Sequence, residues 1–249
     1  MSDVVNILTM KWGTLYSAEY VNKAYGMVAR HLKKPFKFVC FTDDALGIRP
    51  EVVTHALPPI SVRENYDEAG WRKLSMLQAE LEGLQGMALF LDLDIVITGD
   101  IDCFFDIGNP QDFYIIENWT QMGQGIGNSS VYRFQIGSMS AVQQEYMDNP
   151  QKCFKDYDNE QIFLCRSAQY NGIEINYWPD SWCKSFKRHS ISRSTIYNWF
   201  NEPIIPQDAK IMVFHGYPKP DQAAKGGCHP HKFWRRLKPA SWISKHWRE

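Results

Sequence analysis

Hydrophobic and polar positions change period several times along the first third of the chain. Val4 to Thr9 is an apolar run of strand length, and Phe36 to Phe41 is a second. Between them, Val21, Ala24, Tyr25, Val28 and Leu32 recur at helical spacing across Ser17 to Leu32, and Pro35 ends that helix at the latest. Val52 to Leu57 reads as a short strand closed by Pro58 and Pro59. The spacing of Leu74, Leu77, Leu81 and Leu84 predicts a helix over Trp71 to Leu84, with Gly86 marking its exit. Met87 to Leu91 then forms a bulky apolar run that ends on Asp92, as a buried strand would. Strand, helix, strand, strand, helix, strand is the alternation of an α/β domain built on a mostly parallel central sheet flanked by helices.

The second half is less regular. Phe113 to Ile116 and Ser130 to Phe134 read as strands on either side of the Gly-rich stretch GQGIGNSS. Met139 to Tyr146 and Asp158 to Ser167 read as helices, the latter burying Ile162, Phe163 and Ala168. Ile173 to Tyr177 and Ile211 to Phe214 read as late strands, separated by an aromatic and basic insertion at 181–208. No repeat or linker divides the chain. The expectation is one α/β domain over 1–224, irregular in its second half, followed by a basic, aromatic tail over 225–249.

Composition narrows the classes. With 249 residues and 44% hydrophobic positions the chain can bury a substantial core, which argues against disorder. A formal net charge of −1 gives no reason to expect nucleic acid. Six cysteines lie scattered with no C-x-x-C pair, as reduced thiols would. No signal peptide and no membrane-spanning run is visible, so cytoplasmic residence is expected. The tail holds seven Lys or Arg against one Glu, interspersed with Phe233, Trp234, Trp242 and Trp247. Such a stretch suits peripheral contact with an anionic membrane at its inner face; the alternative is a basic segment packed on the domain through its tryptophans.

The chemistry concentrates at strand ends. In FLDLD, Asp92 and Asp94 follow a buried strand and, if the backbone stays extended, point to one side about 6.6 Å apart. Repulsion and burial penalise both carboxylates, and a divalent cation removes both penalties. Hard oxygens suit Mn²⁺ or Mg²⁺, which keep positions open for substrate phosphates. Ligands in open α/β sheets lie beyond the carboxyl ends of the strands. The competing reading of a D-x-D tripeptide is a turn or helix cap. Asp43 and Asp44 end the second strand and could accept from a ribose or base, or form a turn. Thr9 and Tyr16 lie at and past the end of the first strand, where an aromatic could stack on a base. His215 ends the last strand in HGYPKP; its imidazole would complete a two-Asp, one-His metal set. Gly216 would permit close backbone approach, and Lys219 would reach diphosphate oxygens.

These motifs, in this order, resemble those of the nucleotide-sugar-dependent glycosyltransferases of the GT-A fold, most nearly family 8, which includes glycogenin and the lipopolysaccharide galactosyltransferases. The resemblance covers roughly residues 4 to 220. It implies that Asp92 and Asp94 bind the metal and the nucleotide diphosphate, that His215 is the third protein ligand, and that Lys219 contacts the diphosphate. The basic residue before D-x-D corresponds to Arg72 or Lys73. An N-S-G-V segment that holds sugars corresponds to Asn128, Ser129, Ser130 and Val131. The acid of a D-Q pair beside the reacting sugar corresponds to Asp158 or Glu160 in DNEQ. The resemblance implies transfer of a sugar, from a UDP-sugar by preference, to a hydroxyl of a saccharide or glycolipid, with retention of configuration. Trp119, Tyr132, Trp178 and Trp182 are candidates for stacking on an acceptor sugar. Two other classes compete: a haloacid-dehalogenase-like phosphatase using Asp92 and Asp94, and a non-catalytic carbohydrate-binding protein.

Overall fold

The computed structural model describes residues 4–62 and 70–249. Its centre is a seven-stranded sheet. In chain order the first strands are β1 (Val5–Lys11), β2 (Phe36–Thr42) and β3 (Val53–His55), with α1 (Ala18–His31) crossing between β1 and β2. Then come β4 (Met87–Leu91), β5 (Ile95–Ile97), the single turn α2 (Cys103–Asp106), β6 (Phe113–Glu117) and β7 (Gly127–Gln135). Helices α3 (Ser140–Asp148), α4 (Pro150–Asp156) and α5 (Glu160–Tyr170) lead to β8 (Ile175–Tyr177) and β9 (Cys183–Ser185). After α6 (Thr195–Phe200) and β10 (Ile211–Val213) the chain ends with α7 (Pro220–Lys225), the hairpin β11 (Gly227–His229) and β12 (Lys232–Leu237), and α8 (Ser241–His246).

The large sheet runs β3-β2-β1-β4-β7-β6-β8. Strands β3, β2, β1 and β4 are mutually parallel; β7 is antiparallel to β4 and β6, and β8 is parallel to β6. The two-residue period of the strands divides the core. Ile7, Phe38, Cys40, Leu89 and Leu91 face one apolar layer with α1, β5, β10 and α8. Leu8, Val39, Phe41, Ala88 and Phe90 face the other, with Trp71, Leu74, Tyr146 and Phe163. Burial on both faces explains why β1 and β4 read as near-continuous apolar runs.

Three sequence expectations change. The stretch over Trp71 to Leu84 buries all four leucines, but Gly70–Leu77 winds as a 3-10 helix and no α-helix forms. Positive φ at Glu82, Gly83 and Gly86 turns the chain too early for a longer helix. The Gly-rich stretch is partly strand, since β7 begins at Gly127. The tail is built into the domain: Ala240, Trp242, Ile243 and Trp247 are buried in the α1 layer, and Arg30 donates to the carbonyls of His246 and Arg248 at 2.7 and 2.8 Å. Trp242 and Trp247 therefore fill the core. All six cysteines are free thiols. Among the described residues no helix is long and apolar enough to cross a membrane.

Candidate functional site

The D-x-D tripeptide is the junction of two sheets. Asp92 N still donates to Ser130 O of β7 at 2.9 Å, while Phe214 N donates to Asp94 O at 2.9 Å and opens the small sheet β5-β10-β9. Backbone pairing on both sides fixes the two acids at the carboxyl end of β4, and the antiparallel β5–β10 register places the backbone of His215 across from them.

Each carboxylate is met by a lysine. Lys73, on the 3-10 turn, donates to Asp92 with its Nζ 2.7 Å from both oxygens, and lies 3.4 Å from Ser129 Oγ. Burial alone would lower the Lys73 pKa; Asp92 and Glu160 outweigh it and hold it above the ordinary value. Lys219, the residue before α7, donates to Asp94 Oδ2 at 2.6 Å and to the Tyr16 hydroxyl at 2.6 Å, while that hydroxyl donates to Asp94 Oδ2 at 3.0 Å. Burial and then the neighbouring Asp92 push Asp94 up, against the pull of Lys219. Burial and Asp94 push the Tyr16 phenol upward, so it stays a donor.

A second acid joins through β7. Ser129 Oγ donates to Glu160 Oε1 at 2.9 Å, and Ser129 N donates to Gln161 Oε1 at 3.1 Å. Asn159 caps α5 by accepting from Gln161 N and Ile162 N, which sets Glu160 at the first helical position and buries it, while Asp158 stays exposed. Of the two acids weighed from sequence, Glu160 therefore faces the site. Gly70 makes room for it: a Cβ there would lie 2.4 Å from Glu160 Oε1.

His215 behaves differently from expectation. Its Nε2 is hydrogen-bonded with Ser185 Oγ at 2.7 Å, and its ring stacks on Trp119 at 5.9 Å between centroids. Burial, helped by Lys187 and Arg188, lowers its pKa to about 4, so the ring is neutral near pH 7. Among the described residues no three His, Cys, Asp or Glu side chains converge as a metal centre. The hydrogen bond to Ser185 holds the imidazole, and ammonium groups rather than a third ligand meet the carboxylates.

The remaining sequence candidates divide. Asp43 Oδ2 accepts from Gly13 N at 2.9 Å, and the carbonyl of Asp44 accepts from Lys11 Nζ at 2.9 Å, so both pin the loop that carries Tyr16. Thr9 is fully buried, with an Oγ1 that finds no partner among the described residues. Asn128 Oδ1 accepts from Ser130 N at 3.2 Å in a local turn. Arg72 lies near Tyr146; Lys73 is the basic residue that reaches Asp92. Gly216, at φ +73°, leaves Lys187 Nζ 2.9 Å from where a Cβ would stand. Tyr132 and Trp178 are core residues and Trp182 is partly buried against Trp178, whereas Trp119 lies beside His215. Gly70, Gln161, Ser185 and Lys187 escaped the sequence reading. For Gln161 the E-Q dipeptide opening a helix was the available signal.

Donor chemistry can be tested against a divalent ion. Lys73 and Lys219 already pair with Asp92 and Asp94 while Glu160 is held by Ser129, so a diphosphate entering here would bring further negative charge against three carboxylates. Two hard carboxylates and a neutral imidazole just past the paired strand are the right donor types for Mn²⁺ or Mg²⁺. The residues fit such an ion in kind.

No protein-family model matches the sequence, and no curated protein does. Solved structures match the fold. The galactosyltransferase LgtC, in complex with donor and acceptor sugar analogues, aligns over 96% of this chain and 94% of its own with TM-score 0.60 and 13% identity. An active-site mutant of LgtC aligns with TM-score 0.59 and 12% identity over the same shares. The glycosyltransferase GlyE of Streptococcus pneumoniae TIGR4 aligns over 88% of this chain and 56% of its own, with TM-score 0.55 and 14% identity. The chain has the GT-A fold of these proteins.

Proposed function

We propose that this protein is a glycosyltransferase that moves a sugar from a nucleoside-diphosphate donor, UDP-sugar by preference, to a hydroxyl of a saccharide or glycolipid acceptor, with retention of configuration. The observation that carries the reading is the chain of contacts Glu160–Ser129–Lys73–Asp92 beside Asp94–Lys219–Tyr16, at the carboxyl end of a central strand. The fold shared with LgtC and GlyE supports it.

The residues divide the work by charge. Lys219 holds its ammonium at the mouth of the site, where a diphosphate oxygen can replace Asp94 as its partner, and negative charge growing on the leaving diphosphate is stabilised there. Lys73 is committed to Asp92 and holds that carboxylate in place. Tyr16 orients Asp94 and lines the donor side. Asp92, Asp94 and a reoriented His215 would hold a divalent ion; when bound, it supplies Lewis-acid stabilisation of the departing diphosphate. Glu160, held by Ser129, is the carboxylate that would lie by the reacting sugar, either as nucleophile or as an anchor of sugar hydroxyls. Trp119 is the aromatic surface for a sugar ring.

A thermal-shift screen of UDP-, GDP- and CDP-sugars with and without Mn²⁺ tests the reading. A metal-dependent rise in melting temperature with one donor, lost in Asp92→Asn and Asp94→Asn, supports it. No shift with any donor refutes it. Hydrolysis of an aryl phosphate through Asp92 would favour the phosphatase reading instead.

A further inference from the structure

Beside the donor site lies a cavity of about 530 Å³ whose wall carries Lys187, Arg193, His229, Lys232, Arg235 and Arg236. Among the described residues no Asp or Glu lines it, and none of these Lys and Arg side chains makes an ion pair. Five formal cations gathered in one concavity repel one another, and an anion relieves that repulsion. The cavity adjoins the proposed site along the chain. Tyr217 and Pro218, which join His215 to Lys219, line it, and Lys187 lies against Gly216. Lys187 is held below its ordinary pKa first by burial and then by Lys219, with Arg235 adding to the effect and Asp94 opposing it.

The adjoining surface is apolar. Helix α6 contributes Thr195 and Asn198 to the cavity and turns Ile196, Tyr197 and Phe200 outward, each more than half exposed, with Ile204 just beyond. Trp199 Nε1 donates to Trp234 O at 2.9 Å, and Trp234 is itself 48% exposed on β12. Exposed apolar groups this dense on a monomer mark a contact surface. A phosphate seat bordered by apolar side chains has the pattern of an amphiphile site.

We propose that the cavity seats a phosphate group of the acceptor, and that the acceptor is an amphiphile whose apolar portion lies along α6. This rests on the glycosyl-transfer reading for its biochemical role, while the anion seat stands on the cavity itself. The acceptor hydroxyl would then approach past Tyr217 and Pro218 toward Lys219.

Isothermal titration of the full-length protein tests it with three probes below their micelle concentration: dodecyl phosphate, dodecyl maltoside and glucose 1-phosphate. Dodecyl phosphate should bind at least tenfold more tightly than either of the others, and Arg235→Gln combined with Arg236→Gln should weaken it at least tenfold. Both arginines are exposed, so folding is not at risk. In parallel, UDP affinity should stay within twofold in the double variant and collapse in Asp92→Asn. Equal binding of dodecyl maltoside would overturn the phosphate seat, and equal binding of glucose 1-phosphate would overturn the amphiphile. A matching loss of UDP affinity in the arginine variant would make the cavity part of the donor site and overturn the proposal. Phosphate binding in a protein that binds no UDP would overturn the acceptor role through failure of the transfer reading, which the Asp92→Asn arm identifies separately.

Discussion

Replacing Lys73 with Met removes the ammonium while keeping most of the side chain's bulk, and so isolates the Lys73–Asp92 pair. The two side chains are 12% and 18% exposed, and Nζ lies 2.7 Å from each Asp92 oxygen. Losing one partner of a buried pair costs about 3–5 kcal/mol, because the other charge is left uncompensated. Asp92 keeps some solvent contact, which points to the lower end, about 3 kcal/mol. For a chain of 249 residues each kcal/mol moves the melting point by about 2–4 °C, giving a fall of about 6–12 °C. Urea unfolding and scanning calorimetry in metal-free buffer measure both quantities. Adding Asp92→Asn to Lys73→Met should return part of the loss, with a coupling energy of about 1–3 kcal/mol. A single variant that loses less than about 1 kcal/mol, or two effects that simply add, would refute the reasoning.

Other expectations follow from the same geometry. Arg133 is fully buried and donates to the carbonyls of Phe104, Ile107 and Asn109 at 2.9, 2.8 and 2.9 Å; Arg133→Met leaves those carbonyls unsatisfied and should cost about 3 kcal/mol or more by urea unfolding. His31 and His246 stack at 6.1 Å between α1 and α8; burial first lowers both pKa values, followed by His246 at His31 and by Arg30 at His246, with Asp100 opposing at His31. The folded chain then refuses protons that the unfolded chain takes, so stability present above about pH 6.5 falls as pH drops below it. The urea midpoint should decline from pH 7 to 5, and His31→Gln with His246→Gln should make that decline shallower; an unchanged slope contradicts the assignment. Glu160→Gln should lower donor turnover by about 10²-fold or more, whereas exposed Asp158→Asn should leave it near wild type, as read by released nucleoside diphosphate.

Much of the architecture was legible because buried strands write themselves as apolar runs. β1, β2 and β4 appear within one or two residues of where their runs lie. The leucine spacing from Leu74 to Leu84 also reported burial correctly, yet not the backbone. A 3-10 turn and the left-handed residues Glu82 and Gly83 can bury the same faces that an α-helix would. Asp92, Asp94 and Lys219 stood out as strand-end or motif residues, since position along the chain indicates which end of the sheet they occupy, while Lys73 was one of two basic candidates with Arg72. The choice between Asp158 and Glu160 was not visible. It depends on Asn159 taking the cap, which shifts the helix start by one or two residues. The side-chain direction of His215 depends on Ser185, whose place on β9 next to β10 no local pattern reveals. The tail's tryptophans gave an ambiguous signal because basic, aromatic segments serve equally at membranes and in cores, and here Trp242 and Trp247 are buried against α1.

The central claim is that the acids at the end of β4 and the lysine before α7 form a donor-diphosphate site. Release of nucleoside diphosphate from a UDP-sugar, followed in the presence of Mn²⁺ for wild type, Asp94→Asn and Lys219→Ala, tests it most directly. Turnover by the wild type with a loss of about 10²-fold or more in each variant is the result expected. Turnover that survives both substitutions unchanged, or a wild type that turns over no nucleotide sugar, would contradict it.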